Sequence, residues 1–157
     1  MARVFIALGG NQGDRPAMLA ASLDRLAGDV KIAERSLIYE TAPKYVTDQP
    51  AFLNMVIEGR AELPPEPLLD TLKVIESGLG RGAGRRYGPR PIDLDILFYD
   101  DLIVETARLT IPHPRIPERR FVLQPLAEIA PSYNHPTSGT TVARLQAAEP
   151  ESEQTMA

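Results

Sequence analysis

The sequence predicts an α+β domain of order β-α-β-β-α-β, with an antiparallel sheet and helices packed on it. Three observations carry this. Short apolar runs such as "RVFIAL", "FLNMVIEGR" and "IDLDILFY" have the length and composition of strands. Between them lie two segments whose leucines keep helical spacing. Glycine and proline mark the junctions.

In chain order, residues 3–8 read as a buried strand, and "GGNQGD" turns the chain. Asp14 is suited to cap a helix with Pro16 in its first turn, and Leu19, Leu23 and Leu26 line that helix up to Gly28. Residues 30–40 read as a second strand and 52–60 as a third, antiparallel to it, with "TAPKYVTDQP" as the loop between. "LPPEP" opens a second helix, whose face is Leu68, Leu72, Ile75 and Leu79. "GLGRGAGRRYGPR" is a Gly/Arg loop, and residues 92–99 are the fourth strand. This order is the ferredoxin-like split βαβ pattern. Residues 102–111 add a ribbon, and 118–129 a helix broken at Pro125. The domain is expected over 1–142. Residues 143–157 are expected to be a short helix end and a disordered acidic tail.

Composition narrows the function. The chain has 157 residues, 43% hydrophobic and 24% charged, as one soluble domain would. The N-terminal stretch shows neither the h-region nor the cleavage site of a secretory leader, and no run of about 18 apolar residues occurs, so a cytoplasmic protein is expected. Cysteine is absent and histidines number 2, which excludes disulfides and disfavours zinc. A net charge of −4 argues against nucleic acid and membrane surfaces as partners. Yet Arg81, Arg85, Arg86 and Arg90 cluster without an acid among them. Such a cluster suits a small polyanion, because the guanidinium fork matches phosphate.

The chemistry centres on Asp93 and Asp95. Alternate strand residues share a face, so two carboxylates adjoin while Ile92, Leu94, Ile96 and Phe98 face the core. Two adjacent anions repel, and a divalent cation relieves this; oxygen ligands with phosphates favour Mg²⁺. A solvated strand face is the bland alternative, and the neighbouring arginines weigh against it. The Gly/Arg loop reads as a lid over phosphates. His113, with Arg108, Thr110 and Arg115 near it, is a candidate nucleotide contact, whereas His135 reads as surface. Asn54, between Leu53 and Met55, needs hydrogen-bond partners if buried.

These residues carry a resemblance. "RYGPRPIDLDIL", "YETAPKYVTDQPAFLN" and "RLTIPHPRIPERRFVLQPL" occur in the order and spacing of the 6-hydroxymethyl-7,8-dihydropterin pyrophosphokinase family of folate biosynthesis, and the likeness runs from "IALGGNQGD" to about Pro136. The resemblance implies an ATP-dependent diphosphokinase that transfers pyrophosphate to the pterin hydroxymethyl group and releases AMP. It implies that Asp93 and Asp95 hold two Mg²⁺ ions, and that Arg81 and Arg90 neutralise the triphosphate, these four being catalytic. It places ATP against Lys73, Glu76, Arg86, Tyr87, Ile96, Arg108, Thr110, His113 and Arg119, with Glu76 in a supporting position. It places the pterin between Phe52 and Phe121, read by Asn54 and the segment Thr41, Ala42, Pro43 and Lys44. Phe52, Lys44, Pro114 and Tyr87 depart from residues frequent in the family, and either Arg85 or Arg86 makes the second phosphate contact.

The mechanism so implied is in-line attack on the β-phosphorus, carried by metals and arginines rather than by a general base. ATP and the reduced pterin alcohol are the expected partners of a monomer. The rival is a non-enzymatic ferredoxin-like module binding a ligand or RNA, which lacks support from the net charge and from any RNP aromatic pattern.

Overall fold

A computed structural model describes residues 1–11, 13–41, 51–79 and 92–148, and the backbone of Thr155–Met156. The expected order is present: β1 (Ala2–Gly10), α1 (Arg15–Leu26), β2 (Val30–Arg35), β3 (Tyr39–Thr41), β4 (Phe52–Ala61), α2 (Pro65–Gly78) and β5 (Asp93–Tyr99). Strands run antiparallel in the order β5-β1-β4-β3, with β2 also on β4. A ribbon of β6 (Val104–Glu105) and β7 (Thr110–Ile111), then α3 (Arg120–Ile129) and α4 (Val142–Ala148), complete the domain. Most of the tail expected to be disordered lies outside the described residues; of it, Thr155–Met156 (β8) pair with Tyr39–Glu40.

Each face of the sheet has its own core. Leu19 and Leu26 of α1 and Leu68, Leu72 and Ile75 of α2 pack on Val4, Ile6, Leu8, Met55 and Ile57. Val122, Leu123 and Leu126 of α3 and Val142 of α4 pack on Phe5, Val56, Leu97 and Phe98. Burial of such side chains contributes about 1.5–3 kcal/mol each. α1 starts where Asp14 accepts a hydrogen bond from the Ala17 N–H at 3.2 Å, the cap expected. Among the described residues no helix is long and apolar enough to cross a membrane.

Four local expectations change. The stretch 30–40 is two strands, because Ser36 interrupts the ladder: its hydroxyl donates to Leu37 C=O at 2.7 Å and accepts from the Val56 N–H at 3.0 Å. Phe98 does not share a face with Ile96. The β1–β5 register shifts so that Phe5 pairs with Phe98 and Ile6 with Ile96, and the extra residue, Leu97, turns Phe98 to the α3 side. α3 is not broken at Pro125; it follows a 3₁₀ turn at Ile116–Glu118 and runs through the proline, which is buried. Only the backbone bond to the Phe121 C=O is forfeited by the missing N–H. His135 is not a surface residue but is 8% exposed, its ring edge-on to Phe98 at 5.6 Å.

Candidate active site

α3 packs on part of one face of the sheet. Phe5 and Val56 lie beneath α3. Farther along the same face come Ala7 and Gly9 of β1, which pair with Asp95 and Asp93 on one side. On the other side Gly9 pairs with Asn54, whose alternate neighbour is Phe52. Thr41 of β3 pairs with Phe52. Paired and alternate residues share a face, so the two carboxylates and the Asn54 amide stand on one surface. Gly9 separates them by two strand spacings, roughly 10 Å.

Small residues of β1 lie between the two groups. A Cβ on Gly9 would lie 2.5 Å from Asn54 Oδ1, so the amide rests directly on the glycine backbone. Asn54 is 9% exposed, and its Nδ2 donates to Thr41 Oγ1 at 2.8 Å. The partner that a buried amide needs is therefore supplied by the strand next door.

The carboxylates are half-buried on edge strand β5. Glu76 reaches this strand from α2: its buried carboxylate accepts the N–H of Leu94 at 2.7 Å, and Lys73 Nζ lies 3.5 Å from its other oxygen. His113 follows β7 and donates its backbone N–H to the Leu97 C=O at 3.1 Å, which brings it beside β5. Burial lowers its pKa from the ordinary value; Asp95 opposes this, while Arg119 and Arg115 reinforce it. Its Nδ1 accepts the Arg115 N–H at 3.2 Å, so the neutral ring carries its proton on Nε2. Arg119 is partly buried, its guanidinium carbon 5.5 Å from the centroid of the half-buried Phe121 ring at the start of α3.

The fold thus brings Asp93, Asp95, His113 and Arg119 toward one end of the α3 face, with Thr41, Phe52, Asn54 and Phe121 on the same side. A second group lies across the β5 edge. Ile96 is buried in the other core, Thr110 is exposed on β7, and the exposed Arg108 pairs with Asp70 of α2. Ala42, Pro43, Lys44, Arg81, Arg85, Arg86, Tyr87 and Arg90 lie outside the described residues. Sequence reasoning missed Gly9 as the platform for Asn54 and missed Arg15, which bonds Ala51 and Glu40. A glycine beside an apolar strand was the available signal for the first; nothing local signals the second.

Among the described residues no group of three or more His, Cys, Asp or Glu could hold a metal ion. Two neighbouring carboxylates nonetheless fit Mg²⁺ bound chiefly through substrate phosphates and water, which needs few protein ligands.

Comparison with known proteins bears on the family and the fold. The model of the 7,8-dihydro-6-hydroxymethylpterin-pyrophosphokinase family matches residues 5–131. The chain is 46% identical over 133 residues to the 2-amino-4-hydroxy-6-hydroxymethyldihydropteridine pyrophosphokinase of Methylorubrum extorquens, covering 83% of this chain and 84% of that one. It is 47% identical over 127 residues to the protein of that name in Bacillus subtilis, covering 80% and 76%. It is also 48% identical over 127 residues to the mitochondrial folate synthesis bifunctional protein of Arabidopsis thaliana, covering 80% of this chain but spanning only 23% of that relative's length. A crystal structure of Plasmodium falciparum HPPK-DHPS with pteroate superposes with a TM-score of 0.76 at 16% identity, over 93% of this chain and 42% of that one, which bears on the fold alone.

Proposed function

The chain belongs to the 7,8-dihydro-6-hydroxymethylpterin-pyrophosphokinase family, and from that premise we propose that it transfers the pyrophosphoryl group of ATP to the hydroxymethyl oxygen of a reduced pterin, releasing AMP, as a cytoplasmic monomer. The observation that carries the reading is the shared surface on which Asp93 and Asp95 stand beside Gly9 and Asn54. One end of it suits a metal–phosphate group and the other a flat, hydrogen-bonding heterocycle.

The residues divide the work. The Asn54 amide, oriented by Thr41, reads the polar edge of the pterin, and Phe52 and Phe121 supply apolar ring faces. Asp93 and Asp95 hold the Mg²⁺ ions, whose chemistry is to neutralise charge on the phosphate oxygens. Glu76 fixes the backbone between these aspartates. His113 presents its Nε2–H, and Arg119 its guanidinium, to phosphate. Arg81 and Arg90 add cationic charge, with Lys73, Arg86, Tyr87, Ile96, Arg108 and Thr110 around the nucleotide. Reaction joins the pterin hydroxymethyl oxygen to the β-phosphorus, its proton passing to solvent, and breaks the bond from the β-phosphorus to the α–β bridging oxygen, which leaves with AMP. Catalysis then rests on positioning and charge neutralisation.

The test is product identity. Incubation with ATP, Mg²⁺ and 6-hydroxymethyl-7,8-dihydropterin should yield AMP only when the pterin is present. ADP and phosphate would mean hydrolysis, and no turnover would mean a binding module.

A further inference from the structure

The end of the sheet that carries Thr41, Phe52 and Asn54 is held from behind by Arg15, which bonds the residues next to two of them. Thr41 and Phe52 form the last register pair between β3 and β4. The residue before each is tied to the same side chain. Arg15 Nη1 donates to the Ala51 C=O at 2.8 Å and lies 3.2 Å from Glu40 Oε2. Glu40 alternates with Thr41 and so faces the opposite side of the sheet, the side on which α1 packs. Arg15 is itself the first residue of α1, whose start is set by the Asp14 cap.

We propose that Arg15 is a positioning residue for the pterin. It ties the strand ends to the α1 terminus and thereby sets the placement of Thr41 and Phe52 at the substrate surface. The bond to Ala51 carries more of this than the ion pair, because the Arg15 and Glu40 side chains are 30% and 43% exposed and such pairs are weak. The inference rests on the pterin pyrophosphokinase reading above.

Steady-state turnover with each substrate varied separately tests it. Arg15→Met keeps the aliphatic stem and removes the donors. It should raise the pterin KM about tenfold while the ATP KM stays within about twofold. Arg15→Lys, which retains one donor able to reach the carbonyl, should recover most of that loss. A purely structural role would instead lower kcat and raise both KM values in step with a lower melting temperature, and that outcome overturns the proposal. So does a Met variant indistinguishable from the parent. If Arg15→Met does not fold, Glu40→Gln and Arg15→Lys carry the test: each should raise the pterin KM about two- to threefold with the ATP KM unmoved, and no selective change overturns the idea. A parent enzyme that makes no AMP would remove the functional reading itself, and this inference with it.

Discussion

The buried carboxylate of Glu76 accepts the backbone N–H of Leu94 at 2.7 Å, and Leu94 lies between Asp93 and Asp95. Among the described residues β5 pairs only with β1, and no described strand receives the ladder donors on its outer side. Glu76 takes the place of the missing strand at the position where the aspartates need a fixed backbone. Glu76→Ala should cost about 1–3 kcal/mol in urea denaturation, because it leaves a buried N–H without a partner. Glu76→Gln keeps an acceptor and should retain most of that stability. Turnover should fall with Ala and far less with Gln; an Ala variant as stable as the parent would sink the account.

Asp93 and Asp95 are half-buried and share one strand face. Asp93→Asn and Asp95→Asn preserve shape and remove charge. Each should lower turnover roughly a hundredfold or more at saturating Mg²⁺, with the melting temperature held within a few degrees. Near-normal turnover in either variant would show that its carboxylate does not hold metal.

How much of this was legible in the sequence depends on the range of the interaction. Strand alternation placed Asp93 and Asp95 on one face, and helical spacing found the α1 and α2 core residues, because both follow from local geometry. Alternation fails at Phe98, since a bulge is a property of two paired strands and the sequence of one strand does not carry it. His135 looked like a surface residue; it is buried, and its ring meets Phe98, which lies far from it in sequence. Glu128 gave no local hint that it would accept the Leu37 N–H at 3.0 Å and the Tyr39 hydroxyl at 2.7 Å. That arrangement pins the β2–β3 break to α3, and burial and the carboxylate together push the Tyr39 pKa up to about 12. Arg108, expected at ATP, pairs with Asp70, so nucleotide binding there has to draw it from an existing partner.

His135 gives a pH dependence with a definite sign. Burial lowers its pKa from the ordinary 6.5, and its Nδ1 accepts the N–H groups of Thr137 and Ser138 at 3.3 and 3.4 Å. The unfolded chain therefore binds this proton more readily than the folded one. The stability contributed is fully present above pH 6.5 and is lost as pH falls from there through the folded pKa. The slope from one group is at most about 1.4 kcal/mol per pH unit. Urea denaturation between about pH 5 and 8 should show His135→Gln with a shallower loss than the parent below 6.5. Parallel curves for the two proteins would assign the dependence elsewhere.

Gly9 and Gly59 separate function from stability. A Cβ on Gly9 would meet Asn54 Oδ1 at 2.5 Å, the end of a side chain. That amide can swing away, but only by giving up its 2.8 Å bond to Thr41. A Cβ on Gly59 would meet the Lys31 C=O at 2.8 Å and Val30 Cγ1 at 2.6 Å, and a backbone carbonyl within the β2–β4 ladder cannot swing. Gly59→Ala should therefore cost about 1–3 kcal/mol or more in stability while leaving the pterin KM of the folded fraction unchanged, for it lies at the far end of the sheet from Thr41. Gly9→Ala should cost about 1 kcal/mol, roughly one lost hydrogen bond, yet raise the pterin KM about tenfold if Asn54 reads the ring edge as proposed, because its amide would be turned. Denaturation and substrate-varied kinetics on the two variants decide the matter. If Gly9→Ala loses stability without any change in pterin KM, Asn54 does not read the substrate.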